Sequence, residues 1–424
     1  GLFSRFSVFA GGADLDGVLA VVDAGDLSDD PLTLLGALVD RSLIRSVQDS
    51  NEARFEMLET IREYATEKLT EADEEHAARD RHLAFYCALA ESARNVLVGR
   101  DSNERLDKLD QEMGNLRAAM SWAIASGNHG AGFRMTAGLK DYWRARSHLT
   151  EARASVDQLL AAAADDPPSA QYGDALAAAA ELSAWHTDYP RAREHSGRAM
   201  AMFEQLGDRG RLADALGGVG WSNLDRPEFA RETFERALSV GADLGDSTSR
   251  VGSLQGLSVA LFRLGKADEA RVVARQAIDM GERLGDYHTG AMNFLTMGMI
   301  NLASDDEPAA VALFSEALRR ADEVQSSIGL ALSFDTIAVV ALRRGQLVTA
   351  CRLAAAAEKV RRQAGGGPSI EVVGMERPIL QAKAQLTEAD FTQAVAEAEA
   401  MSIADVVALA ESVVSDGGAA RKSP

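Results

Sequence analysis

The sequence predicts a mainly α-helical protein: a small N-terminal domain of helices around one β-hairpin, then an α-solenoid of paired helices. Three observations predict it. Leu-Gly-Asp recurs at Leu206, Leu244 and Leu284, 38 and 40 residues apart. An alanine stands fourteen residues before each triplet, and that alanine series, with small residues at fixed offsets from it, runs through five units. Residues 1 to about 70 lack the period and instead read as short helices, two strands and a helix.

The N-terminal elements come first. Asp14 to Val22 reads as a short helix opened by an aspartate. After Ser28-Asp29-Asp30-Pro31 a second helix runs from Leu32 to Ser42, with proline at its first turn. Leu43 to Val47 reads as a strand, Gln48 to Ala53 as a polar turn, and Arg54 to Leu58 as the partner strand. A helix follows from Glu59 to Leu69. Helices, hairpin and helix make a winged-helix layout, assigned to residues 1–75.

Residues 76–165 read as a helical linker with atypical first repeats, residues 166–364 as repeats of about 40 residues, and residues 365–424 as capping helices with a disordered tail. Fourteen residues before each Leu-Gly-Asp stands an alanine: Ala192, Ala230 and Ala270. The series continues at Ala310 and Ala350 and extends back to Ala152. Seven residues on, two helical turns later, come Ala199, Ala237, Ala277, Ala317 and Ala357. Twelve residues before, the position is again small: Ala180, Gly218, Ser258, Gly298 and Ala338. Small residues on one face let a second helix approach, and a large one would overpack by about 1–3 kcal/mol. Each unit is therefore helix A, a tight turn, helix B and a longer loop. Breakers mark the A-to-B turns at Asp188-Tyr189-Pro190, Asp225-Arg226-Pro227, Gly265-Lys266 and Gly345-Gln346. The glycine of each Leu-Gly-Asp is expected to cap helix B.

Composition narrows the function. The 424 residues carry 44 basic and 64 acidic side chains, a net charge of −20, which disfavours nucleic-acid binding by bulk charge. Cys87 and Cys351 lie far apart and form no disulfide framework, as in a reducing compartment. The longest apolar run, Ile328 to Leu342, is broken by Asp335, and Asp14 and Asp16 cut off the apolar start expected of a signal peptide. No membrane partner and a cytoplasmic location are expected. The chain opens Gly1-Leu2-Phe3 within an apolar stretch and reads as part of a longer protein.

Catalytic patterns are weak. No Gly-x4-Gly-Lys-Ser/Thr occurs, and Leu264-Gly265-Lys266-Ala267 lacks both the first glycine and the hydroxyl. His186 and His195 fall on different helices and form no metal pair. Gly220-Trp221-Ser222-Asn223 lacks the closing glycine of a nucleophile elbow. Gly365-Gly366-Gly367-Pro368 reads as a flexible loop, and Glu74-Glu75 and Asp305-Asp306 as exposed caps. The chain is read as a non-enzyme, with no catalytic, cofactor or metal residues of its own.

Stacked helix pairs present helix A on a concave face. Counted from the small position of each unit, the inward residues are Glu181, Trp185, Asn223, Gln255, Phe262, Arg263, Met292, Leu295, Met299, Asp335 and Arg343. The apolar centre at Phe262, Met292, Leu295 and Met299 suits a protein, a peptide or a small hydrophobic effector.

The small-residue pattern resembles the tetratricopeptide repeat in its longer variant. Phe234 and Phe314 fit its large aromatic position, whereas Ser196, Ala274 and Ala354 depart from it. Phe6-Ser-Val-Phe-Ala-Gly-Gly-Ala-Asp-Leu-Asp, Leu35-Gly-Ala-Leu-Val-Asp-Arg-Ser-Leu-Ile and Arg54-Phe-Glu-Met-Leu-Glu-Thr-Ile-Arg-Glu-Tyr-Ala are similar to the winged helix of bacterial signal-transduction ATPases with numerous domains, the STAND class. In particular they are similar to predicted ATPases fused to LuxR-type or SARP-type regulators or cyclase-like domains in actinobacteria. Asp110-Gln-Glu-Met-Gly-Asn-Leu-Arg-Ala-Ala-Met-Ser-Trp-Ala resembles the segment that joins that module to the repeats, and Phe391 to Leu409 the closing helices of the arm.

This resemblance implies an upstream nucleotide-binding module using ATP and Mg²⁺, and often a downstream helix-turn-helix. The chain itself would be the sensor arm of a transcriptional regulator, in which effector binding to the repeats relieves contacts that hold the nucleotide module closed. Two other readings are a free-standing adaptor for protein–protein interaction and, more weakly, DNA binding through the winged helix. The latter is disfavoured because Leu32 to Val39 carries no basic residue, only Arg41 stands at the end of that helix, and the wing carries Asp49 and Glu52.

Overall fold

The computed structural model describes residues 1–22, 29–49, 52–94, 96, 102–146, 148–285 and 287–415. The chain forms two compact units. Unit 1 comprises Gly1–Arg94, Glu104–Leu139 and Ser155–Pro167, and unit 2 comprises Asn95–Asn103, Lys140–Ala154 and Pro168–Pro424. The architecture is mainly α-helical with one hairpin, as the sequence implies.

Unit 1 begins with α1 (Leu2–Arg5) and a 3-10 turn (Phe6–Val8), followed by α2 (Leu15–Val22) and α3 (Pro31–Asp40). Asp14 opens α2 by accepting from the Gly17 amide at 2.8 Å, and Asp30 caps α3 through the Thr33 amide at 3.2 Å, ahead of Pro31. Strands β1 (Arg45–Asp49) and β2 (Glu52–Glu56) pair antiparallel, with Val47 opposite Arg54. Both run further into the expected turn than the sequence suggests. Alternation continues through the polar residues, and polarity alone does not end a solvent-facing ladder. Ala13 adds a bridge to Phe55, with N–H···O distances of 2.9 and 2.8 Å. Helices α4 (Glu59–Glu71) and α5 (Glu75–Ser92) follow. Phe6, Phe9, His82 and Tyr86 are buried together, with successive ring centroids 5.2, 5.5 and 4.5 Å apart.

Helices α6 (Ser102–Ala125), α7 (His129–Ala145) and α8 (Leu149–Ala162) come next in the chain. The repeats of unit 2 are the pairs α9 (Ala170–Trp185) with α10 (Tyr189–Leu206), α11 (Arg209–Trp221) with α12 (Pro227–Val240), α13 (Thr248–Arg263) with α14 (Ala267–Leu284), α15 (Tyr287–Ala303) with α16 (Glu307–Glu323), and α17 (Ser327–Arg343) with α18 (Leu347–Gln363). The period reads out as packing. Ala192, Ala230, Ala270, Ala310 and Ala350 are all fully buried, and so are the alanines seven residues on, apart from a trace of exposure at Ala237. Phenylalanines fill gaps left by glycines: a Cβ on Gly220 would stand 2.6 Å from Phe234, one on Gly256 closer still, and one on Gly298 would collide with Phe314.

Gly207 and Gly285 cap α10 and α14 in the left-handed conformation, at φ 68° and 66°. The middle triplet differs. Helix α12 stops at Val240, and Gly245 (φ 83°) sits in the following loop, because Gly241 ends the helix first. Asp208 and Ser247 then cap the next A helices, while Asp286 lies outside the described residues.

After a 3-10 turn (Ile370–Val373) come α19 (Pro378–Gln385), α20 (Glu388–Ala400) and α21 (Ile403–Ser415). They close the last repeat: Cys351, Ala382 and Ala394 form a buried cluster with Leu342, Ile379 and Phe391 against it. Arg344 donates to the Val413 carbonyl and Lys359 to those of Glu399 and Met401. Residues 416–424 of the expected disordered tail lie outside the described residues. Among the described residues no helix is long and apolar enough to cross a membrane.

Candidate partner-binding face

The eleven residues assigned to the inner face divide by accessibility. Asn223, Gln255, Leu295, Met299 and Asp335 are buried. Asn223, in the turn after α11, donates back to the Val219 carbonyl of that helix at 2.8 Å, and Gln255 to Thr296 Oγ1 at 3.3 Å. Asp335, fully enclosed on α17, pairs with Arg361 of α18 at 2.6 Å. Burial pushes its carboxyl above the ordinary value, against the pull of Arg361. Met299 is 5% exposed, so its truncation reports on packing. Period places a residue on a helix face; it does not say how far the next helix covers that face.

Glu181, Trp185, Phe262, Arg263 and Met292 are part-exposed, and Arg343 is exposed and pairs with Asp305 at 3.4 Å. Around Glu181 and Trp185 the face is charged. Lys140 donates to Glu181 at 2.9 Å, Arg144 pairs with Asp141 at 3.2 Å, and its guanidinium lies 5.8 Å from the Trp185 ring centroid. Burial would lower the Lys140 pKa, but the carboxylates of Asp141 and Glu181 outweigh it and raise it. Arg211 is held between Asp174 at 2.8 Å and Asp208 at 2.7 Å. Arg263 reaches across to the carbonyls of Glu371 and Val372 at 3.2 and 3.1 Å. A surface with both charge signs and an aromatic can bind a peptide; no nucleophile–base pair forms there. Among the described residues, no group of three or more His, Cys, Asp or Glu side chains could hold a metal ion.

Unit 1 holds a second arrangement, which the sequence phrases mark without explaining. Arg54 on β2 is buried and donates to the carbonyls of Gly11, Gly12 and Gln111, each at 3.1 Å, and to Glu112 on α6. Asn115 accepts from the Ala10 amide at 2.7 Å and donates to the Gly12 carbonyl at 2.8 Å and to Glu112 at 2.7 Å. A Cβ on Gly114 would run into the Ala10 carbonyl. Burial lowers the His82 pKa to about 4, opposed by its contact with Asn115. The Phe6, Arg54 and Asp110 phrases are thus three sides of one polar lock. Its signal in the sequence is polar residues inside otherwise apolar phrases.

The helix that would read DNA, α3, has only Leu35 fully buried and no basic residue; Leu32 is 53% exposed. Its exposed residues are Leu32, Thr33, Gly36 and Asp40, so the one charge it shows is acidic.

Comparison with known proteins places the N-terminal part. Residues 1–70 match the family model described as a winged helix-turn-helix domain. A "Putative HTH-type transcriptional regulator" of Mycobacterium tuberculosis H37Rv is 28% identical over 337 residues, 76% of this chain and 37% of that protein. The chain therefore spans just over a third of that relative's length. An uncharacterized protein of the same organism is 38% identical over 84 residues, 19% of this chain and 21% of its own. Among solved structures, a STAND protein with a tetratricopeptide repeat sensor from Pyrococcus horikoshii aligns at TM-score 0.40 and 14% identity, over 94% of this chain and 64% of its own. A Rap protein complexed with competence and sporulation factor aligns at TM-score 0.47 and 11% identity, over 77% and 99%. Residues 1–70 are a winged helix-turn-helix domain, the chain is similar to a putative HTH-type transcriptional regulator of mycobacteria, and its paired helices repeat in the tetratricopeptide-like manner that their 38–40-residue period implies.

Proposed function

We propose that this chain is the regulatory arm of a larger transcriptional regulator. The repeats bind a protein, peptide or small effector, and the winged helix couples that binding to a nucleotide-binding module outside the chain. The observation that carries this reading is α3: in a winged helix-turn-helix domain, the helix available to read DNA presents Leu32 and Gly36 to solvent and no basic residue. Such a face suits contact with protein rather than phosphate. The polar lock around Arg54 and Asn115 ties β2, the first loop and α6 into one rigid body, as a transmitting element requires. ATP and Mg²⁺ belong, on this reading, to the outside module, and this chain is no enzyme.

The test uses the complete protein. Leu32→Glu places a charge on the α3 face and should raise basal ATP turnover several-fold by weakening a restraining contact. Turnover equal to wild type removes the coupling role. Retention of this chain on duplex DNA at low salt, lost at high salt, would instead establish DNA binding.

A further inference from the structure

Residues 365–377 join α18 to α19, but they do not take the short way. A Cβ on Gly366 would stand 3.2 Å from His186 Nδ1 and 3.5 Å from the Trp185 carbonyl, at the end of the first repeat's A helix. One on the adjacent Gly367 would lie 3.8 Å from Ile328, at the start of the fifth. Ile370 is fully buried and Val373 nearly so, and their 3-10 turn packs against both α13 and α17. Arg263, on the third repeat, holds the Glu371 and Val372 carbonyls, and its side chain lies 3.6 Å from where a Gly374 Cβ would be.

The nine residues Gly366–Gly374 thus reach the first, third and fifth repeats on the helix-A side. In a flat array, four helix spacings of about 8–10 Å would separate the first and fifth A helices by at least roughly 32 Å. Neighbouring residues cannot span that, since extended chain advances only about 3.5 Å per residue. The repeats of unit 2 therefore curve around this segment. Two of the accessible inner-face residues, Trp185 and Arg263, are engaged by it. Gly365, Gly366 and Gly367 have φ of 76°, 139° and 142°, conformations that favour glycine, and these let the chain turn inward.

We propose that residues 365–377 are a self-ligand: a strap that occupies the inner face of the repeats in place of a partner. The strap itself reports the chemistry of the site. Arg263 holds main-chain carbonyls, while the wall of α13 and α17 takes apolar side chains three residues apart, at Ile370 and Val373; the exposed Glu371 carboxylate accepts from Ser369 of the strap itself. The partner that displaces it is an extended peptide that offers main-chain carbonyls to Arg263 and two apolar side chains three residues apart. This inference rests on the reading that the repeats bind a partner.

The probe is a fluorescein-labelled peptide of residues Pro368–Glu376, measured by anisotropy against the whole chain. A tethered competitor acts at an effective concentration near the millimolar range, so the free peptide should bind the wild-type chain weakly. In Ile370→Asp/Val373→Asp, with helicity unchanged by circular dichroism, affinity should rise about tenfold or more; adding Arg263→Ala should remove the gain. Equal affinity for wild type and double variant overturns the strap. Should the variant fail to fold, hydrogen exchange on the unaltered chain decides: excess peptide should speed exchange of the Gly366–Gly374 amides while α13 is unaffected, and no change overturns the proposal. Neither readout involves nucleotide. Failure here leaves the regulatory-arm reading intact, and a silent ATP assay leaves the strap intact.

Discussion

Replacing Gly256 with alanine should destabilise unit 2 in the wild-type chain and stabilise it when Phe234 is also alanine. Gly256 lies in the interior of α13, where alanine is normally better than glycine by about 1 kcal/mol. Here an added methyl would meet the ring of Phe234, which is fully buried on α12 and also covers Gly220. Overpacking costs about 1–3 kcal/mol and outweighs the propensity gain. Phe234→Ala alone should cost about 3–5 kcal/mol, because the ring leaves a cavity among α11, α12 and α13. In that background the methyl enters empty space, the clash is gone and the propensity gain of about 1 kcal/mol remains. The assay is urea unfolding followed by circular dichroism, with midpoint and slope fitted separately, since a repeat array need not unfold in one step. Equal destabilisation by Gly256→Ala in both backgrounds would refute the ring-into-glycine account.

Three further outcomes follow from particular contacts. Arg54→Met leaves the buried Glu112 carboxylate without its partner and should destabilise unit 1 by about 3–5 kcal/mol, whereas Arg54→Met/Glu112→Leu should recover much of that in a thermal melt. Asp208 caps α11, and the Arg211 amide and guanidinium hold its carboxyl below the ordinary 3.8. Because the folded pKa is depressed, its contribution is full above about pH 4 and fades as pH falls; Asp208→Asn should keep most of the cap, of about 1 kcal/mol, yet flatten stability against pH below about 4. Burial pushes the Cys351 thiol up to about 11 and raises that of Cys87, and both are buried. Neither should react with a disulfide reagent at pH 8 until denaturant unfolds the chain, and prompt labelling of the native protein would contradict their burial.

Much of this architecture is local and therefore legible in the sequence alone. A 38–40-residue period with alanines seven apart already demands paired helices in register, because two helical turns return to one face and only small side chains permit close approach. Proline and aspartate at helix starts and glycine after Leu206 and Leu284 mark ends, since orphan amides and left-handed caps have few side-chain solutions. The tertiary structure decided what depends on distance along the chain. Arg54 meets Glu112 58 residues on, and no spacing rule links them. Met299 and Leu295 lie on an A helix, as the period implies, yet they are buried, whereas Phe262 and Met292 are part-exposed, because period does not say how far neighbouring helices cover a face. Gly365-Gly366-Gly367 looks in sequence like slack chain. Only the inward curl of five repeats, each contributing a small rotation, gives that segment a surface to lie on and sets an arginine from the third repeat against its backbone.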